Sequence, residues 1–134
     1  MTDPTSPRSV TVTLPFGPQA ARRARRLLTD FLVAARLPST VVRDAALVLS
    51  ELVTNSVDHG RGNAADEIEV SWQLSAQRLR VSVHDAGGGS VPTVRRIDPR
   101  AAHGRGLAIV AALSSTWSVD QADGTLVTAE LATT

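Results

Sequence analysis

Two neighbouring stretches of alternating apolar and polar residues constrain the fold of this chain more than any other feature of its sequence. Residues 67–74 are EIEVSWQL and residues 78–83 are RLRVSV, and in both every second residue is apolar. A period of two predicts strands that bury one face, and the three residues SAQ between them suit a hairpin turn. Because a hairpin alone is only marginally stable in water, other segments must extend the sheet and cover its apolar face.

The rest of the chain supplies both kinds of segment. Three further stretches alternate and predict strands: 9–14, 116–121 and 126–131. Apolar residues at helical spacing predict three helices, over 19–37, 39–59 and 104–113. Pro38 and Ser39 are start signals for the second of these, and Gly60 is its expected C-cap. The order β-α-α-β-β-loop-α-β-β predicts a two-layer α/β (α+β) sandwich, in which about three helices cover one face of a mixed, largely antiparallel sheet.

Length and composition exclude several classes of protein. A chain of 134 residues predicts a single domain, over 9–134, after a Pro-, Ser- and Thr-rich start at 1–8 that is expected to be disordered. Cysteine is absent, which excludes disulfides and cysteine zinc sites. The start lacks the apolar core of a signal peptide, and no apolar run is long enough to span a membrane. A cytoplasmic protein without membrane contact is therefore expected.

Charge and aromatic content argue against a nucleic-acid partner. The net charge is +1 and aromatic residues are 3% of the chain, so neither a basic footprint nor a stacking platform is expected. All 14 basic residues are arginine, which excludes a P-loop lysine and a Schiff-base lysine. The run ARRARR in the first predicted helix is typical of a solvated helix face. Abundant Ala and Arg without Lys suggest a genome rich in G and C.

The second predicted helix carries a polar face whose function the helix alone leaves open. At 100° per residue, Glu51 and Asn55 lie one turn apart on the same face, opposite the apolar residues. One interpretation is the solvated side of an amphipathic helix. The other is a site, in which Glu51 takes a proton and the Asn55 amide oxygen binds Mg²⁺. His59 at the helix end is better explained by the helix dipole.

Three glycine-containing segments each have a structural and a functional interpretation. Asp85 directly follows an apolar strand and precedes glycines at 87–89, which fits a flexible hairpin loop or a carboxylate that accepts a hydrogen bond from an amine such as that of adenine. Gly104 and Gly106 flank Arg105 at a helix start, which fits a plain junction or an anion site. Gly124 and Thr125 fit a tight hairpin, or a hydroxyl that touches a purine.

The order and spacing of these motifs resemble the GHKL ATPase superfamily, whose members share the Bergerat, or histidine-kinase-like, ATP-binding fold. ELVTNSVDHG resembles the N box, DAGGG the G1 box and GRGL the G2 box, and the resemblance covers residues 10–131. The short chain is most similar to the anti-sigma-factor serine/threonine kinase group, to which many small actinobacterial ATP-binding regulators belong. By this resemblance, segment 86–103 would be the ATP lid, and its arginines, Arg95, Arg96 and Arg100, would be candidates for contact with phosphate.

This resemblance implies a function and a role for each motif residue. Glu51 would be the general base, Asn55 would hold Mg²⁺, and Asp85 would read the adenine of ATP. The remaining cofactor-binding residues would shape the pocket (Gly87, Gly89), contact phosphates (Gly104, Arg105, Gly106, Leu107) or lie near the base (Thr125). The substrate would be a Ser or Thr of a STAS-type anti-anti-sigma protein, the second partner a sigma factor, and the state a homodimer. The alternative is an ATP-binding regulatory module that binds protein partners without kinase activity.

Overall fold

Three helices lie over one face of a five-stranded sheet in residues 8–87 and 105–134, the parts of the chain that the computed structural model describes. The strands are β1 (Arg8–Pro15), β2 (Glu67–Leu74), β3 (Arg78–Asp85), β4 (Thr116–Asp120) and β5 (Thr125–Ala132). The helices are α1 (Ala20–Ala34), α2 (Ser39–His59) and α3 (Arg105–Leu113), and for Arg105 and Gly106 only the backbone is described. The predicted order of elements and the predicted α+β fold are confirmed.

The sheet has the strand order β1-β2-β3-β5-β4, and each of the pairings among the described strands is antiparallel. β2 and β3 form the predicted hairpin, with Trp72 opposite Val81 and Leu74 opposite Leu79. β5 lies between β3 and β4 in the sheet, although it follows both in the chain. The last strand therefore returns, after α3 and β4 in the chain, to pair with β3. This return places Thr125 opposite Asp85.

The alternation of the strands divides the sheet into a buried and a polar face, as expected for an antiparallel sheet with one solvated side. On the buried side, Ile68, Val70 and Val81 are fully enclosed beneath the helices. On the polar side, the Arg80 guanidinium bonds Glu130 directly across from it, at 3.0 Å and 2.7 Å. One buried cluster collects side chains from the described helices and from β1, β2, β3 and β5.

The first helix ends three residues before its predicted end. Leu37 N–H donates to Leu32 O at 3.2 Å and Arg36 N–H to Val33 O at 3.0 Å, which is the hydrogen-bond pattern of a Schellman motif. Arg36 takes the left-handed conformation at φ 63° that this motif requires. Pro38 disfavours helical backbone at the residue before it, so the chain ends α1 early and α2 begins directly afterwards.

The second helix is the central element of the helical layer, because it packs against α1, α3 and β3. Its buried stripe runs from Ala45 to Ser56 and includes Val48, Leu49 and Val53. Its C-terminal end reaches the end of β3, where Ala86 N–H donates to Arg61 O at 2.9 Å. No helix within 8–87 and 105–134 is long and apolar enough to cross a bilayer.

Candidate functional site

A buried carboxylate, that of Asp85 at the end of β3, is the centre of the candidate site. Asp85 is 6% exposed, and it accepts hydrogen bonds from Gly87 N–H at 2.6 Å and from the Ser56 hydroxyl. No ion pair reaches it from any residue in the described ranges. A carboxylate has about four acceptor positions, and a buried charge requires strong partners. Among the described residues, two donors and no cation contact the carboxylate, which is compatible with a further donor from a ligand.

Three glycines allow the segments around Asp85 to pack closely. A Cβ on Gly60 would overlap Asp85 Oδ2, and a Cβ on Gly124 would overlap the Asp85 carbonyl oxygen. Gly124 and Gly87 both have positive φ, at 70° and 81°, and a Cβ on Gly87 would lie 3.3 Å from Gly124 Cα. Glycine is therefore required here for space, and at Gly87 and Gly124 also for conformation. These close contacts hold the end of α2 and the turn before β5 against Asp85.

The residues that the sequence predicted near a nucleobase are brought together by β3 and β5. Asp85 and Thr125 are opposite each other in the register, and Thr125 is buried. Thr125 Oγ1 would lie 3.6 Å from a Cβ on Gly87. A carboxylate, a hydroxyl and a glycine turn therefore form one edge of the candidate site, although Asp85 and Thr125 are 40 positions apart in the chain.

The polar face of α2 is a candidate second edge of the site, because the same helix contacts Asp85 through Ser56. Glu51 and Asn55 are half-buried on successive turns, and Ser56, the residue after Asn55, bonds Asp85. Burial raises the pKa of the Glu51 carboxyl above its usual value. A raised carboxylate pKa brings a group closer to the range useful for proton transfer. His59 is exposed in the last turn of α2, where a histidine suits the helix dipole.

The predicted phosphate-binding segment is only partly described. Two predicted glycines, Gly89 and Gly104, lie outside the described residues, as do the arginines of the predicted lid, Arg95, Arg96 and Arg100. Arg105 and Gly106 open α3, and the N–H groups of a first helical turn have no partner within the helix. Leu107 is buried in the hydrophobic core, so any contact with phosphate there would use its backbone. The described residues include no group of three or more His, Asp or Glu that could hold a metal ion.

Three residues of the site were missed or underrated from the sequence: Ser56, Gly60 and Gly124. Ser56 occupies the apolar stripe of α2, one turn after Leu52, and it is buried there. The sequence signal for Ser56 was a single serine within an apolar stripe, next to Asn55, because a buried hydroxyl needs a hydrogen-bond partner. Gly60 was interpreted as a helix cap and Gly124 as a turn residue, and their closeness to Asp85 is visible only in three dimensions.

Comparison with known proteins shows the family of the chain. The histidine kinase-like ATPase domain family matches residues 14–131. The chain belongs to this family. Membership confirms the resemblance to the GHKL superfamily and implies ATP binding.

Two individual proteins also resemble the chain. The serine-protein kinase RsbW of Listeria innocua is 30% identical over 79 residues, which are 58% of this chain and half of that relative. The crystal structure of the RsbU and RsbW domains of Rv1364c from Mycobacterium tuberculosis superposes with a TM-score of 0.68 at 27% identity. This match covers 93% of the present chain and 31% of that structure. The present chain thus spans about half of the Listeria relative and about a third of the Mycobacterium structure.

Proposed function

We propose that this protein is an ATP-dependent regulator of the anti-sigma-factor type, which phosphorylates a Ser or Thr of a STAS-type anti-anti-sigma partner and binds a sigma factor. The observation that carries the proposal is that Glu51 and Asn55 lie on the same helix whose Ser56 bonds the buried Asp85. A base candidate, a metal-ligand candidate and a nucleobase-reading carboxylate are thereby joined in one structural unit. Family membership and the kinase name of the Listeria relative support the same reaction.

The residues around Asp85 suit the adenine of ATP. An ionised carboxylate only accepts hydrogen bonds, and the C6 amino group of adenine donates them. Gly87 and Gly124 add no side chains beside this carboxylate, and the Thr125 hydroxyl, on the residue opposite Asp85, can donate or accept a hydrogen bond there. Guanine presents an oxygen at C6, which would face the carboxylate as a second acceptor. The site should therefore prefer ATP to GTP.

Glu51 and Asn55 would carry the chemistry at the other edge. When bound, Mg-ATP supplies the γ-phosphoryl group and the metal charge that neutralises it. Asn55 would hold Mg²⁺ through its amide oxygen, a ligand type that this cation prefers. Glu51 would accept the proton of the attacking Ser or Thr hydroxyl as the new O–P bond forms, and ADP would leave. Partial burial strengthens Glu51 as a base, because it raises the pKa of this carboxyl.

The kinase reaction is tested with labelled ATP, Mg²⁺ and each STAS-domain protein of the same genome. We expect transfer to one partner, and a fall of about 100-fold or more in Glu51→Gln, since a general base contributes about 10²–10⁴-fold. Glu51→Gln should still bind ATP, whereas Asn55→Ala should lose the dependence of binding on Mg²⁺. Thr54→Ala, which removes an exposed hydroxyl from the same helix, is the matched control. Transfer by Glu51→Gln at the wild-type rate would contradict the assignment of Glu51.

The alternative function is ATP binding that controls partner binding without phosphoryl transfer. Calorimetry with Mg-ATP distinguishes the two. Tight binding of ATP with no transfer to any STAS protein would establish the alternative and exclude the kinase. Absence of any ATP binding at millimolar concentration would exclude both.

The partner proposals extend to oligomeric state and cellular location. β1 forms one edge of the described sheet and pairs there only with β2, so its other edge is open to a second chain. We propose a homodimer on this basis, and light scattering over a concentration series should give twice the mass of the chain. A monomer at all concentrations up to about 10⁻⁴ M would contradict it, given that specific homodimers bind more tightly than this.

A sigma-factor partner would place the protein in the cytoplasm, and co-purification with tagged sigma factors tests that partner.

A further inference from the structure

Within the described residues, the Ser56 hydroxyl makes the only side-chain hydrogen bond between α2 and Asp85. This hydroxyl donates to Asp85 Oδ2, while Gly87 N–H donates to the other carboxylate oxygen, Oδ1. The two donors hold the carboxylate at both oxygens, so its plane is fixed. The remaining lone pairs of the Asp85 carboxylate then have fixed directions as well.

Gly60 allows this contact. Its N–H donates to Ser56 O at 2.7 Å, which closes the last turn of α2. A Cβ there would overlap Asp85 Oδ2 and would lie 2.8 Å from Ser56 O. The helix end can therefore approach the carboxylate closely only because position 60 has no side chain. The φ of Gly60 is −100°, so space and not backbone conformation is the reason.

We propose that Ser56 is a positioning residue for base recognition: it aims Asp85 at the amino group of adenine and thereby sets the preference for ATP over purine nucleotides that lack this donor. The inference rests on the proposed ATP site. Without the hydroxyl, Asp85 would keep the Gly87 bond and could rotate about it. The carboxylate would then be less well aligned with the amino group, and the discrimination would fall.

Loss of the Ser56 hydroxyl should weaken the contact with the amino group of adenine and leave the other contacts of the nucleotide unchanged. A hydrogen bond to a charged group typically changes an equilibrium by about tenfold or more. Ser56→Ala should weaken ATP binding by about tenfold and binding of purine riboside triphosphate, which has hydrogen in place of the amino group, by less than about twofold. A residue with only a structural role would weaken both ligands equally.

The experiment measures the affinities of the whole chain for Mg-ATP and for Mg-purine riboside triphosphate, by calorimetry, in wild type, Ser56→Ala and Thr54→Ala. The proposal predicts that the ratio of the two affinities falls about tenfold in Ser56→Ala and stays unchanged in Thr54→Ala. An unchanged ratio in Ser56→Ala, whatever the loss of overall affinity, overturns the proposal.

A second variant covers the case in which the alanine variant does not fold. Ser56→Cys keeps the shape of the side chain with a weaker donor, so a ratio between those of wild type and alanine is expected, and a wild-type ratio overturns the proposal. The ATP site itself is judged on the wild type alone. If wild type prefers ATP and the variants keep that preference, only the role of Ser56 is wrong. If wild type binds neither nucleotide, the proposed function fails, and the inference fails with it.

Discussion

At the scale of single residues, two carboxylates of the site differ in what surrounds them. Asp85 is buried and held by two donors, whereas Glu51 is half-buried, and burial raises its pKa. A fixed acceptor suits recognition of a ligand donor, and a more basic carboxylate suits proton transfer. The sequence placed both residues in motifs, but the difference between their environments is visible only in the structure.

The raised pKa of Glu51 predicts a pH-dependent effect on stability. A raised carboxyl pKa means that the folded chain binds this proton more tightly than the unfolded chain, so ionised Glu51 lowers stability at neutral pH. This cost disappears as the pH falls through the raised pKa towards 4.5, the ordinary value. Glu51→Gln should therefore have a higher Tm than wild type at pH 7, and the difference should vanish below pH 4.5.

Thermal unfolding followed by circular dichroism over a pH series measures this effect. Glu69→Gln, a change at an exposed position of β2, is the control and should show no such gain. A lower Tm for Glu51→Gln than for wild type at pH 7 would mean that a partner stabilises ionised Glu51, and it would contradict a carboxylate that burial destabilises.

At the scale of elements, the turns decide where side chains of distant segments meet. The turn before β5 brings Gly124 against the end of β3 with a φ of 70°. The turn between α1 and α2 depends on Arg36, a non-glycine residue in the left-handed region. Position 124 already has glycine, the residue that a positive φ favours, whereas position 36 has arginine.

Gly124→Ala should destabilise the fold by about 2–4 kcal/mol, because a Cβ would meet the Asp85 backbone and a positive φ adds strain. Gly17→Ala is the matched control, since nothing lies within 4 Å of a Cβ at that position. Urea denaturation measures both variants. Equal stability of the two would mean that the turn does not approach Asp85 as closely as described.

Arg36→Gly should stabilise the fold by about 1 kcal/mol, because glycine adopts the left-handed conformation of a Schellman motif without strain. The same substitution at Arg26, exposed within α1, should have the opposite sign and cost about 1 kcal/mol. Chemical denaturation of the pair tests whether the end of α1 is formed by this motif. A loss of stability in Arg36→Gly would argue against it.

At the scale of the whole molecule, α2 connects the core to the candidate site. Its apolar stripe is enclosed by α1, α3 and the sheet, and its polar face carries Glu51 and Asn55. Because the same helix serves both purposes, core packing sets the position of the polar face. The buried cluster extends from β1 to β5, so the loss of core side chains should lower the stability of the whole fold.

Leu49→Ala and Leu47→Ala compare one substitution on the two sides of α2. Leu49 is fully buried, and its truncation should cost about 2–5 kcal/mol through lost burial and the cavity left behind. Leu47 is 38% exposed, and its truncation should cost about 1 kcal/mol or less. Equilibrium unfolding in urea measures the two, and similar costs would mean that α2 faces the core differently.

The sequence by itself determined the local structure and the family of this protein. Strand alternation over 67–83 and helical spacing over 39–59 are periodic signals, which require no knowledge of distant residues. The motif order, from Glu51 to Thr125, was enough for the resemblance that the family match confirms. The end of α1 was predicted wrongly, because a non-glycine residue at the left-handed position gives no signal in the sequence.

Only the tertiary structure decided which residues surround Asp85. Ser56 is 29 positions before it, and Gly124 approaches it because β5 enters the sheet between β3 and β4. Spacing along the chain does not encode such meetings, since they depend on the order of strands and on how closely α2 packs onto the sheet. The serine in the apolar stripe of α2 thus acquired a role only when its hydrogen-bond partner was known.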